Sequence, residues 1–98
     1  MPVTVIHHAQ NQEFTIEQEG GSAELAYSKP AAGILDFTHT YVDEALRGRG
    51  LAEELARTGL AFAREQGLRV RTSCRFMQKF MDTHPQYQHL REAPADTQ

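Results

Sequence analysis

Arg47-Gly48-Arg49-Gly50-Leu51-Ala52 is the stretch whose residue types and spacing point most directly to a chemistry. Its glycines and arginines alternate immediately before an apolar run of helical period. The first turn of a helix leaves backbone N–H groups without partners and carries a partial positive charge. Glycine lets the backbone approach a ligand and take up dihedrals closed to other residues, and arginine adds donors shaped for phosphate oxygens. The combination reads as a cradle for a phosphate or diphosphate rather than a reacting group. It fits neither GxxxxGK[ST] nor GxGxxG. The bland reading is a glycine turn with solvated arginines. An RGRG string also suggests RNA contact, but one such pair without interleaved aromatic residues is a weak signature of that.

Groups able to react lie on either side of this loop. His39 stands in an apolar, threonine-rich run; it is either a core histidine bonded to a backbone carbonyl or a base, since imidazole titrates near neutral pH. Asp36 precedes it on the same run, at an odd separation that puts the two on opposite faces of a regular strand unless a bulge intervenes. Cys74 is the sole cysteine, which excludes an intramolecular disulfide and a cysteine-rich zinc site. It lies between Arg71 and Arg75 at the start of an expected helix, surroundings that favour a reactive thiol; the alternative is a small buried hydrophobe. Ser73 beside it offers a hydroxyl donor. Tyr27, Tyr41 and Tyr87 are packing residues, or one of them a general acid. Lys79 is a solvated charge or a phosphate contact from the last helix, and His84-Pro85 a helix stop. The five histidines show no HExxH or paired-ligand spacing, so no metal is expected.

These groups must be held by elements that the pattern makes legible. Val3–His7 is β-branched and short. Glu13–Glu17 and Ala23–Ser28 alternate polar and apolar with a strand's period, separated by Gly20-Gly21, a turn signal. Lys29-Pro30 ends the third strand, and Gly33 leads into the longest one, ending at Val42. Leu51 to Gln66 then repeats Leu51, Leu55, Ala56, Gly59, Leu60 and Ala63 at helical spacing, with Glu53 and Glu54 in the first turn and Gly67 at the C′ position. Leu68–Ser73 is a strand, and Phe76–Met81 a short helix stopped before Pro85. The order β-β-β-β-α-β-α predicts an α+β (α/β) domain: a mixed, mostly antiparallel sheet with a strand–helix–strand crossover joining a parallel pair in the right-handed sense.

The chain has 98 residues, 40% hydrophobic and 23% charged, which suits one small domain. Residues 1–90 are read as that domain and 91–98 as a polar tail. No apolar run approaches the roughly 20 residues of a membrane span. The start lacks a basic region followed by a long apolar one, so no signal peptide and a cytoplasmic location are expected. The net charge of −3 argues against a general nucleic-acid binder. Yet seven of the eight arginines fall between Arg47 and Arg75, while the first 46 residues hold one basic residue, Lys29. A cationic centre on an acidic protein fits a local anion site.

The loop resembles the pyrophosphate loop [RQ]-x-x-G-x-[GA] of GCN5-related N-acetyltransferases (GNAT). The wider chain resembles the minimal YjdJ-type GNAT domain over about residues 13–90, through Ala23-Glu24-Leu25-Ala26-Tyr27, Phe37-Thr38-His39-Thr40-Tyr41-Val42, the loop, Cys74 and His84-Pro85-Gln86-Tyr87. The resemblance implies a truncated GNAT fold that binds acetyl-CoA (or CoA) as cosubstrate. The pyrophosphate would rest on Arg47 to Ala52 and the pantetheine arm on Thr40-Tyr41-Val42. The thioester would lie near the gap between Phe37–Thr40 and Ser73–Cys74. In this reading Cys74 is either a nucleophile or a wall of the thioester site. Asp36 lies six residues before Val42, where histone-acetylating members place a glutamate base. The N-terminal helices and last hairpin of larger members are missing, so the acceptor cleft is open or completed by a partner. The implied activity is acetyl transfer to an unidentified amine, by a monomer or weak homodimer. The alternative is a catalytically weak CoA-binding or interaction module.

Overall fold

The computed structural model describes residues 3–92. Strands β1 (Ile6–His8), β2 (Glu13–Gln18), β3 (Gly21–Ala31), β4 (Ile34–Val42) and β5 (Arg69–Thr72) form one sheet in that order. The first three pairings are antiparallel, and β4–β5 is parallel. Helix α1 (Leu51–Glu65) makes the crossover, and α2 (Arg75–Asp82) follows β5. Two 3₁₀ turns, Glu44–Leu46 and Pro85–Leu90, complete the order. This is the α+β arrangement expected, with a five-stranded mixed sheet and the crossover in place.

Strand β1 starts at Ile6 rather than Val3, and β3 continues through Pro30 instead of stopping there. The proline is tolerated because β2 pairs with β3 only from Gly21 to Ala26, so the ring sits where that side of β3 has no ladder to lose. The start of the expected polar tail is tied down. Glu92 N–H donates to the Val70 carbonyl, Arg91 bridges Val70, and the side chains pair as Arg71–Glu92 and Arg91–Asp82. Residues 93–98 of that tail lie outside the described residues.

One face of the sheet packs on α1. Leu55, Ala56, Leu60 and Ala63 lie on the helix face and Phe14, Ile16, Leu25, Leu35 and Phe37 on the strands, all of them buried. The layers meet most closely at Gly59. A Cβ built there would stand 2.8 Å from the Phe37 ring and 3.0 Å from Leu25 Cδ2. Alanine is the better helix former by about 1 kcal/mol, but a wedged buried ring costs about 1–3 kcal/mol. Gly59→Ala is therefore expected to lower the melting temperature; a rise would mean that Phe37 can move aside freely.

A second cluster closes the far end. His7 stacks on Phe14 and meets the edge of Phe62, and its Nε2 is hydrogen-bonded to Tyr27 Oη. Burial first, then the nearby Lys29 and His8, hold the His7 imidazole below its ordinary pKa. The unfolded chain then binds more protons than the native one once pH falls below about 6.5. Stability contributed by neutral His7 is full above that value and lost as pH drops through it. Melting temperatures from pH 7.5 to 5.5 are expected to fall more steeply for the native chain than for His7→Leu; parallel curves would remove His7 from the acid response.

Candidate functional site

Strands β4 and β5 pair from Ile34↔Arg69 to Phe37↔Thr72 and then part. The last tie is the Cys74 N–H donating to the Phe37 carbonyl at 2.9 Å. Beyond Phe37, β4 has a strand partner only on its β3 side among the described residues. The parting is pinned by Asp36. Its carboxylate accepts the Ser73 N–H at 3.0 Å and the Ser73 hydroxyl at 2.8 Å, and its side chain is buried. A carboxylate buried in a strand needs such donors, and here they hold the end of β5 at the branch point.

The register slips where the strands begin to part. Ala26 faces His39 and Tyr27 faces Phe37, so Thr38 is an extra residue on β4. This bulge reverses the alternation. Phe37 and Thr40 both turn to the α1 face, and Asp36 and His39 both turn to the other. The open alternative for the two titratable groups is thus resolved in favour of a shared face. His39 is exposed, which corrects the reading of it as a core histidine.

Thr40 Oγ1 and Cys74 Sγ lie 3.1 Å apart in the gap. Cys74 is buried and occupies the N-cap position of α2. The sole described hydrogen-bond partner of its sulfur is this hydroxyl, not a base. Of the tyrosines, Tyr27 is committed to His7, Tyr87 packs on Phe80, and Tyr41 is 44% exposed next to the gap.

At the far end of β4 the chain turns through Glu44–Leu46 into the loop. Gly48 (φ 85°) and Gly50 (φ 77°) both adopt the left-handed conformation that side chains resist. Gly50 is the N-cap of α1, and no side chain caps that helix. A Cβ at Gly48 would meet nothing within 4 Å, and one at Gly50 only Glu53 Oε1 at 4.0 Å, so the backbone at both glycines borders open space. Arg47 Nε donates to the Val42 carbonyl at 3.0 Å, tying the loop to the strand end, and Arg49 Nη1 reaches Gln18 Oε1 at 3.4 Å.

The two ends belong to one cleft of ≈ 550 Å³, within the usual range for a small-molecule site. Thr40, Tyr41 and Val42 line it from β4, Arg47, Gly48, Gly50, Leu51, Ala52 and Glu53 from the loop and helix start, and Phe76 from α2. A cavity of ≈ 330 Å³ adjoins it across Glu53 and Phe76, with Lys79 and His84 on its wall. Of the site residues singled out from sequence, Arg49, Ser73, Cys74, Asp36 and His39 do not line the cleft, although Cys74 touches Thr40, which does. Leu46, Glu53 and Phe76 were missed. Phe76 reads as part of a short helix and Glu53 as a first-turn acid of α1, while Leu46 is marked only by its proximity to the loop.

Three comparisons bear on this geometry. A family described as GCN5-related N-acetyltransferase has a model that matches residues 13–90. Protein NATD1 of Bos taurus is 37% identical over 91 residues, covering 91% of this chain and 80% of that one. Protein NATD1 of Homo sapiens is 35% identical over the same length, again covering 91% and 80%. A GCN5-like protein from Staphylococcus aureus, solved by NMR, superposes with a TM-score of 0.75 at 23% identity, covering 95% of this chain and 91% of that one. The last is a likeness of fold.

Proposed function

The chain belongs to the GCN5-related N-acetyltransferase family, and from that premise we propose that it binds acetyl-CoA in the cleft and passes the acetyl group to an amine. The observation that carries this reading is the pairing, in one cleft, of an uncapped helix start behind Gly48 and Gly50 with the Thr40–Val42 stretch of β4, which has parted from β5 beyond Phe37. The diphosphate takes the loop amides and the charge of Arg47 and Arg49, the Ser/Thr/Asp cap that would compete being absent. The extended arm lies along Thr40–Val42, where β4 has no strand on its open side. Lys79, on the adjoining cavity, is suited to a further phosphate.

In the transfer, the amine gives up a proton, its nitrogen bonds to the thioester carbonyl carbon, the C–S bond breaks, and the departing thiolate takes a proton. Thr40 and Cys74 are the hydroxyl and thiol placed to steady the sulfur. His39, exposed beside them on the other face, is the base this geometry favours. Asp36 serves as a positioning residue, since both carboxylate oxygens are engaged by Ser73.

Calorimetric titration with acetyl-CoA and CoA, followed by intact mass spectrometry, tests the reading. Micromolar binding supports it, and no binding overturns it. A gain of one acetyl group that vanishes in Cys74→Ala would make Cys74 a covalent carrier; no gain leaves direct transfer.

Glu53 is a discordant note. Its carboxylate suits the start of a helix but lines the cleft that receives a diphosphate. Removing that charge in Glu53→Gln is expected to tighten CoA binding about threefold to tenfold, the effect of a partly screened charge nearby, while lowering thermal stability slightly. Weaker binding of CoA by this variant would show that Glu53 contacts the ligand favourably.

A further inference from the structure

Among the described elements, none packs substantially on the sheet face turned away from α1 over its β2–β3 part. Strands β2 and β3 pack substantially only on neighbouring strands, on α1 and on the Glu44–Leu46 turn. The registers put Ile6, Glu13, Thr15, Glu17, Glu24, His39 and Tyr41 on this face. Ile6 and Tyr41, at 45% and 44% exposure, are the two exposed large hydrophobic residues among those described. Over β2 and β3 the formal charge is acidic; the basic side chains of this face, Arg69 and Arg71, lie on β5, where Arg71 is paired with Glu92, and His8 stands across from Glu13 on β1. Lys29 is the single basic residue in the first 46, and it lies over the Phe62 ring on the α1 side. Tyr41 stands across from Glu24, and His39 across from Ala26.

Resting on the acetyl-transfer reading, we propose that this face docks a cationic, lysine-bearing segment of a protein acceptor and delivers the lysine to the gap between β4 and β5. Glu13, Glu17 and Glu24 supply charge complementarity to a basic segment. Tyr41 offers an aromatic face to an ammonium group. His39 lies on the same face at the gap, where that ammonium must lose its proton. The parting of β4 and β5 is what connects this face to Thr40 and Cys74 on the other. The five strands span about 19 Å at ~4.8 Å spacing, the length of about six extended residues. A small amine calls for a concave pocket, whereas these side chains stand on a broad face, half-buried to exposed apart from the buried Thr15. A second copy of this chain is disfavoured, because it would set carboxylates against carboxylates.

The test is an NMR titration of the full, isotope-labelled chain, without CoA, with a short synthetic peptide of alternating lysine and serine. The same peptide with glutamate for lysine, and spermidine, serve as the other arms. Shifts are expected on β2–β4 residues of this face for the lysine peptide alone. E13K/E24K is expected to weaken its binding about tenfold while CoA affinity stays unchanged. Should that variant misfold, E13Q/E24Q gives the same comparison with a smaller loss. Shifts elsewhere, unaltered affinity in both variants, or spermidine binding as tightly as the peptide would overturn the proposal. Peptide binding is read without CoA, so a chain that docks the peptide but not CoA sinks acetyl transfer alone. A chain that binds CoA but not the peptide sinks only the docking surface.

Discussion

Gly50→Asp is expected to raise the Kd for CoA at least about 100-fold while leaving the melting temperature within a few degrees of the native value. Two opposing effects act on the fold. Residue 50 sits at φ 77°, where a side chain costs roughly 1–2 kcal/mol, less for aspartate than for most. The new carboxylate, however, arrives at the N-terminus of a helix that has no side-chain cap, where a negative charge returns about 0.3–1 kcal/mol. The ligand meets no such compensation. The carboxylate occupies the amides that would hold the diphosphate and repels its charge, and about 2.8 kcal/mol corresponds to 100-fold. Gly67→Asp is the control. It imposes the same kind of strain at φ 70° with nothing within 4 Å of the new Cβ. It lies just past the C-terminal end of α1, where negative charge is unfavourable. That variant should lose stability and keep CoA affinity. Calorimetry and thermal melts on both variants decide the matter; Gly50→Asp retaining CoA affinity would move the ligand away from this loop.

The order of elements was legible because each has a period that packing enforces. Alternation in Glu13–Glu17 and Ala23–Ser28 reflects a sheet whose apolar side chains pack on α1 along one face, and the Leu51–Ala63 repeat a helix buried along one stripe. The loop was legible because its chemistry is local: glycines, arginines and a helix start adjoin in sequence. What escaped depends on contacts between distant residues. The bulge at Thr38 has no glycine or proline to announce it and arises from pairing with β3, yet it decides which face His39 takes. Thr40–Cys74 and Asp36–Ser73 join residues 34 and 37 positions apart. One signal was present: an aspartate inside Ile34-Leu35-Asp36-Phe37 is a carboxylate in a strand bound for burial. Such a group requires donors, although the sequence does not say which residues supply them. The docking of Arg91 and Glu92 on β5 had no signal, since their polar surroundings read as solvent.

Asp36→Ala is expected to destabilise the domain by about 2–3 kcal/mol, the loss of charge-assisted hydrogen bonds together with a stranded donor. Against the 5–15 kcal/mol typical of a domain, that is a large fraction, and about a 10–15 °C fall in melting temperature follows for a chain of this size. The consequence reaches the cleft. Without the carboxylate, Ser73 is no longer fixed against β4, and the parting that sets Cys74 beside Thr40 loosens. CoA affinity should therefore drop alongside stability. Asp36→Asn separates this role from that of a base. The amide keeps the shape, accepts the Ser73 N–H through its oxygen, and can donate to the Ser73 hydroxyl oxygen through its nitrogen. It should recover most of the stability and CoA affinity and, once an acceptor amine is in hand, hold kcat within about tenfold of the native chain, whereas loss of a proton-transfer group costs about 10²–10⁴. A positioning residue is rescued by the isosteric amide; a base is not. If Asp36→Asn folds and binds CoA as the native chain does but turns over hundreds of times more slowly, Asp36 takes the proton itself, and the Ser73 contacts are then those of a resting state that opens when the amine arrives.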